Sequence, residues 1–148
     1  MQISEIMRQV ELFRGLSELQ LGQIEAISSE QHFENGAMIF EQGSRGDGMY
    51  IVCDGQVEVQ VRDNSGATFA AVYLGSGQVF GEMALVDEST RSASVLAVGE
   101  DTVVIAIPSV DFTALCQRDN AIGYVMMRNI AQDLSFKLRH RDFDPSSS

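Results

Sequence analysis

Glu82 and Arg91 are the two side chains of this sequence best suited to binding a ligand, and they stand nine residues apart. They belong to the stretch Phe80-Gly81-Glu82-Met83-Ala84-Leu85-Val86-Asp87-Glu88-Ser89-Thr90-Arg91-Ser92-Ala93-Ser94. A carboxylate accepts from hydroxyls, and a guanidinium grips a phosphate through a planar pair of N–H donors. Together they suit a ligand that carries both a hydroxyl and an anion. Met83 to Asp87 read as one or two short helical turns between them. The amides of Gly81 to Met83 open that turn and can aim donors at an anion. Each residue also has a plainer role: Arg91 as a surface or ion-paired arginine, and Glu82 as a carboxylate stabilised by a helix N-terminus.

The elements that must position this stretch follow from periodicity. Residues 2–13 read as a short helix with Ile3, Ile6, Met7 and Val10 on one face. Ser17 is an N-cap for a second helix ending near Ser29. From Gln31 to Ile107 the texture changes to short apolar runs broken by Gly, Asn and Asp, as in Asn35-Gly36, Gly46-Asp47-Gly48, Asp54-Gly55 and Gly75-Ser76-Gly77. Turn signals at that density predict many short strands, hence a sandwich or barrel. The alternation is cleanest at Val57-Glu58-Val59-Gln60-Val61-Arg62. Pro108 ends the strand region, a short helix covers 109–116, and a longer one covers 120–140. The longer helix carries Ile122, Val125, Met126, Ile130, Leu134 and Leu138 at helical spacing. That stripe fits either packing on the barrel or a seam to a second copy or partner protein. Residues 144–148 read as a frayed tail.

Phe-Gly-Glu-x-Ala-Leu, a short loop, then Arg-Ser-Ala-Ser resembles the phosphate-binding cassette of cyclic nucleotide-binding domains. These occur in regulatory subunits of cyclic-nucleotide-dependent kinases, in gated channels and in bacterial catabolite-activator regulators. Glu41-Gln42-Gly43, Gly46 to Val52 and Gly55 to Val59 are similar to the family's earlier strands and turns, so the resemblance spans nearly the whole chain. One departure is Thr90, where the family often has proline. The resemblance implies one α+β, mainly β domain over 1–148. Helices occupy 2–29, an eight-stranded β-roll of jelly-roll type occupies 31–107, and C-terminal helices occupy 109–140.

The resemblance also implies roles. Arg91 binds the cyclic phosphate, and Glu82 accepts the ribose 2′-hydroxyl. Gly81 keeps the backbone clear of the sugar-phosphate, and Met83 belongs to the ligand-binding set through the run of amides that begins the short helix. Ser92 bonds a phosphate oxygen, or a guanine amino group in a syn base. Ala93 is small because the phosphate lies against its backbone. Val59, Ala71 and Val72 wall the base, although ordinary strand core explains them nearly as well. The last helix closes over the base near His140, where Arg141 stacks on the purine and Asp142 accepts an amino proton. The family's function would make this chain a sensor of cyclic AMP first and cyclic GMP second, whose ligand repositions the C-terminal helix.

Composition narrows the alternatives. A length of 148 residues suits one domain, and a net charge of −11 disfavours non-specific binding to polyanions. The bases Arg128, Lys137, Arg139 and Arg141 cluster near the end and read as a solvated helix face, not a nucleic-acid patch. No apolar run reaches the ~20 residues a membrane span needs. Cys53 and Cys116 sit in apolar settings and read as buried thiols of a reducing, cytoplasmic protein. His32 and His140 lie outside any metal-ligand or nucleophile–base motif. No enzyme activity, metal or cofactor is therefore expected. The bound partner would be the cyclic nucleotide, and no DNA-binding module is expected after Asp144. A docking module on the same fold, with a vestigial cavity or one for a cyclic dinucleotide, is the competing reading.

Overall fold

The structure is a computed structural model that describes residues 2–87 and 89–140. Two helices open the chain, α1 (Ile3–Gln9) and α2 (Glu18–Ala26), with a 3-10 turn at Glu11–Phe13 between them. Ser17 closes a full capping box on α2: its hydroxyl accepts from the Gln20 amide at 3.1 Å, and the Gln20 side chain accepts from the Ser17 amide at 2.9 Å.

The described residues then form six strands: β1 (Ser29–Phe33), β2 (Met38–Phe40), β3 (Gly48–Arg62), β4 (Thr68–Gly75), β5 (Val79–Phe80) and β6 (Ser94–Pro108). The eight-strand expectation is corrected to six, because β3 and β6 are each 15 residues long and run on through irregularities. Their register shifts on either side of Asp54. Gly55 there has φ +82°, and a Cβ on it would stand 2.7 Å from Thr102 Oγ1. The sheet is antiparallel throughout, in the order β1-β6-β3-β4, with β2 on β6 and β5 on β3.

Alternation along β3 and β6 makes two cores. Met49, Ile51 and Cys53, with Val103, Ile105 and Ile107, face the helices and join Ile6, Phe13 and Ile24. The opposite face contributes Val52, Val57, Val95 and Val104, which pack with Phe80. Both faces of the central pair are thus covered, which explains the unbroken apolar run Val103–Ile107.

Two further helices follow, α3 (Ser109–Arg118) and α4 (Asn120–His140). The α4 stripe divides along its length. Ile122, Met126 and Ile130 are buried in the helix-side core, whereas Leu134 and Leu138 are exposed. Arg141 and Asp142, expected as a lid on the base, lie outside the described residues.

Candidate functional site

The cassette leaves β5 at Phe80 and turns sharply. Gly81 sits in the left-handed region at φ +72°, which favours glycine, and a 3-10 turn over Glu82–Leu85 follows. The glycine is required for a second reason. A Cβ there would lie 2.7 Å from Arg91 Nη1 and 3.3 Å from the Gly48 carbonyl oxygen. The seat of the arginine thus crowds this position.

Arg91 is buried, with 6% of its surface exposed. Its Nη2 donates to the Gly48 carbonyl at 2.8 Å and to Asp47 Oδ1 at 3.1 Å, and Nη1 donates to the Gly81 carbonyl at 3.2 Å. The guanidinium carbon lies 4.0 Å from the centre of the Phe40 ring. These bonds occupy three of the five N–H donors a guanidinium carries. The buried Nε has no acceptor among the described residues. A buried donor left unmatched costs about 1–3 kcal/mol.

The backbone around Arg91 is fixed by the turn after β2. The Arg91 amide donates to the Ser44 carbonyl at 2.7 Å, and the Gly43 amide donates to the Arg91 carbonyl at 2.8 Å. Thr90 forms an isolated β-bridge with Arg45, which holds the loop where the family often uses proline.

These elements enclose a cavity of about 520 Å³. Gly81, Glu82, Met83, Arg91, Ser92 and Ala93 all line it, together with Val59 and Val72. Glu82 is half-buried, and its carboxylate has no hydrogen-bond or ionic partner among the described residues. Ala71 does not line the cavity. Val59 pairs with Val72 and Gln60 with Ala70, so Ala71 is the extra residue of a bulge in β4. Leu74 and Val79 complete the apolar wall that sequence reasoning gave to Ala71. Phe80, read as core, is buried at 4% exposure and also borders the cavity.

Three contributors were missed from sequence. Asp47 and Phe40 seat the guanidinium, and only Asp47, inside the Gly46-Asp47-Gly48 turn, lay in a stretch that the resemblance marked. Lys137, read as part of a solvated face, reaches the cavity from α4. Its helix is latched to the start of the chain. Buried Asn129 donates from Nδ2 to the Leu12 carbonyl at 2.7 Å and the Arg14 carbonyl at 2.9 Å. Arg14 Nη2 in turn donates to Gln132 Oε1 at 3.0 Å and Asp133 Oδ1 at 3.2 Å.

The arrangement can hold an anion beside a hydroxyl-bearing group, with an apolar wall for a flat ring. It offers no activated nucleophile among its side chains. Burial pushes the Cys53 and Cys116 thiols above their ordinary range, and neither lines this cavity.

The family model described as the cyclic nucleotide-binding domain matches residues 30–119. The chain belongs to the cyclic nucleotide-binding domain family. It is 34% identical over 133 residues to a cyclic AMP receptor protein of Thermus thermophilus, covering 90% of this chain and 59% of the relative. It is 32% identical over 126 residues to the cAMP-dependent protein kinase type II regulatory subunit of Drosophila melanogaster, covering 85% of this chain and 32% of that one. The regulatory domain of Toxoplasma gondii PKA, crystallised with cAMP, superposes with a TM-score of 0.77 at 25% identity, covering 89% of this chain and 48% of that chain. The chain thus spans well under two thirds of each of these relatives. The family is a regulatory one, and no described helix is long and apolar enough to cross a membrane.

Proposed function

We propose that this domain is a cytoplasmic sensor of a 3′,5′-cyclic purine nucleotide, cyclic AMP first and cyclic GMP second. The observation that carries the reading is the unmatched Nε of buried Arg91 at a cavity that Glu82 also lines. Arg91 takes the cyclic phosphate, Glu82 takes the ribose 2′-hydroxyl, and Ser92 and Ala93 form the phosphate's other wall. Val59, Val72 and Leu74 face the base. No cofactor beyond the ligand is involved, and the domain performs no catalysis of its own. The relatives include proteins named for cyclic AMP and protein kinases named for cyclic GMP, so both ligands belong in the test. The β-roll of jelly-roll type is the family architecture in which such a cavity would sit.

Ligand binding draws the 81–87 segment inward and shifts α4, with a coupling of about 1–3 kcal/mol set by the ligand's preference for one position of the helix. The readout passes to a second copy or a partner through α4, whose Leu134, Phe136 and Leu138 are exposed. Those exposed residues also support the competing reading, a docking module on the same fold.

A thermal-shift series with cyclic AMP, cyclic GMP, a cyclic dinucleotide and 5′-AMP separates the two readings. Cyclic AMP at about 100 times its dissociation constant adds roughly 2.7 kcal/mol of stability, and 5′-AMP adds far less. A melting temperature that none of the four raises would remove the sensor reading and leave the docking one.

A further inference from the structure

The charges around the cavity do not favour an anion unless α4 takes part. Among the described residues, two carboxylates, Glu82 and Asp87, and two cations, Arg91 and Lys137, line it. Arg91 is already engaged by Asp47 at 3.1 Å. Without Lys137, a cyclic phosphate would enter a lining whose only cation among the described residues is shared with an aspartate, inside a chain of net charge −11. Lys137 makes no ion pair or hydrogen bond among the described residues, so its ammonium is uncommitted. It also lines an adjoining cavity of about 300 Å³ together with Val79, Glu82 and Met83, whereas Arg91, Ser92 and Ala93 do not line that one. Lys137 therefore stands where the two cavities meet, on the α4 side. A lysine suits that place, being a point charge on a flexible stem with three rotatable donors.

We propose that Lys137 is the second cation of the anion site, delivered by α4. The ligand's negative charge, and not its base alone, then holds the end of α4 over the cavity. The proposal rests on the cyclic-nucleotide reading above and extends it. It ties binding to helix position through electrostatics. A helix displaced from the cavity withdraws the charge, and an anion in the cavity draws the helix back. The latch from Asn129 and Arg14 holds the middle of α4, which leaves its last two turns to make the adjustment.

Calorimetric titration of cyclic AMP and cyclic GMP into the wild type, K137Q and K137R, at low and physiological ionic strength, tests this. Lys137 is exposed, so K137Q keeps the wild-type melting temperature without ligand. It weakens both nucleotides by the same factor, roughly three- to tenfold, as expected for a partly screened, charge-assisted contact. It also flattens the salt dependence of binding, and K137R restores both. Amide exchange over residues 130–140, slowed by cyclic AMP in the wild type, is slowed less in K137Q. Wild-type affinity in K137Q, or a loss confined to one of the two bases, would overturn the role. A wild type that binds neither nucleotide overturns the underlying sensor reading instead.

Discussion

At the scale of single residues, Arg91 and Gly81 form one device. The guanidinium is held by two backbone carbonyls, one carboxylate and an aromatic ring, and glycine is what leaves space for it. Gly81→Ala therefore strains a left-handed residue and pushes on Arg91 Nη1 at once. The variant is destabilised by roughly 1–2 kcal/mol, read by chemical denaturation, and binds cyclic nucleotide more weakly. An unchanged denaturation midpoint would show that the turn tolerates a side chain. Glu82 and Arg91 were legible in the sequence because the cassette that carries them is contiguous. Asp47 and Phe40 were not, since their contact with Arg91 closes only in three dimensions, 44 residues away for Asp47. Ala71, placed by matching position in the family, does not line the cavity because a bulge in β4 shifts its register.

Among the elements, α2 was readable from its cap, and the first half of α4 from its apolar spacing. The number of strands was not. Glycine turn signals cut the sequence into short pieces, yet β3 and β6 each run through some of them as one strand, with register shifts in the ladder between them. The outer strand β1 carries a titrating group, His32, which faces Glu30 on its own strand at 3.0 Å and Asp101 at 3.5 Å. The hydrogen bond to Glu30 is the main cause that raises the His32 pKa above 6.5, and Asp101 adds to it. A pKa raised on folding stabilises the protein below the unfolded value, and the contribution fades as pH rises through the folded one. Proton NMR titration should place the His32 midpoint above that of an unfolded peptide, and Glu30→Gln should lower it. A midpoint unmoved by Glu30→Gln would contradict the assigned cause.

The whole molecule is acidic, and the cavity beside the 81–87 segment has two cations of different kinds in its lining. Arg91 is fixed by burial, whereas Lys137 is exposed on α4; in the proposal the first gives constant recognition and the second follows the helix. Net charge, read from sequence, concealed that one base of the apparently solvated tail lines the cavity. The central claim is that Arg91 Nε awaits a cyclic phosphate, and calorimetric titration of cyclic AMP into the wild type and Arg91→Lys tests it most directly. A lysine keeps the positive charge and loses the fork. The account predicts saturable binding to a single site per chain in the wild type. It predicts a loss of at least about tenfold in Arg91→Lys, with the folded state retained by circular dichroism. Equal affinity in the two proteins would contradict it.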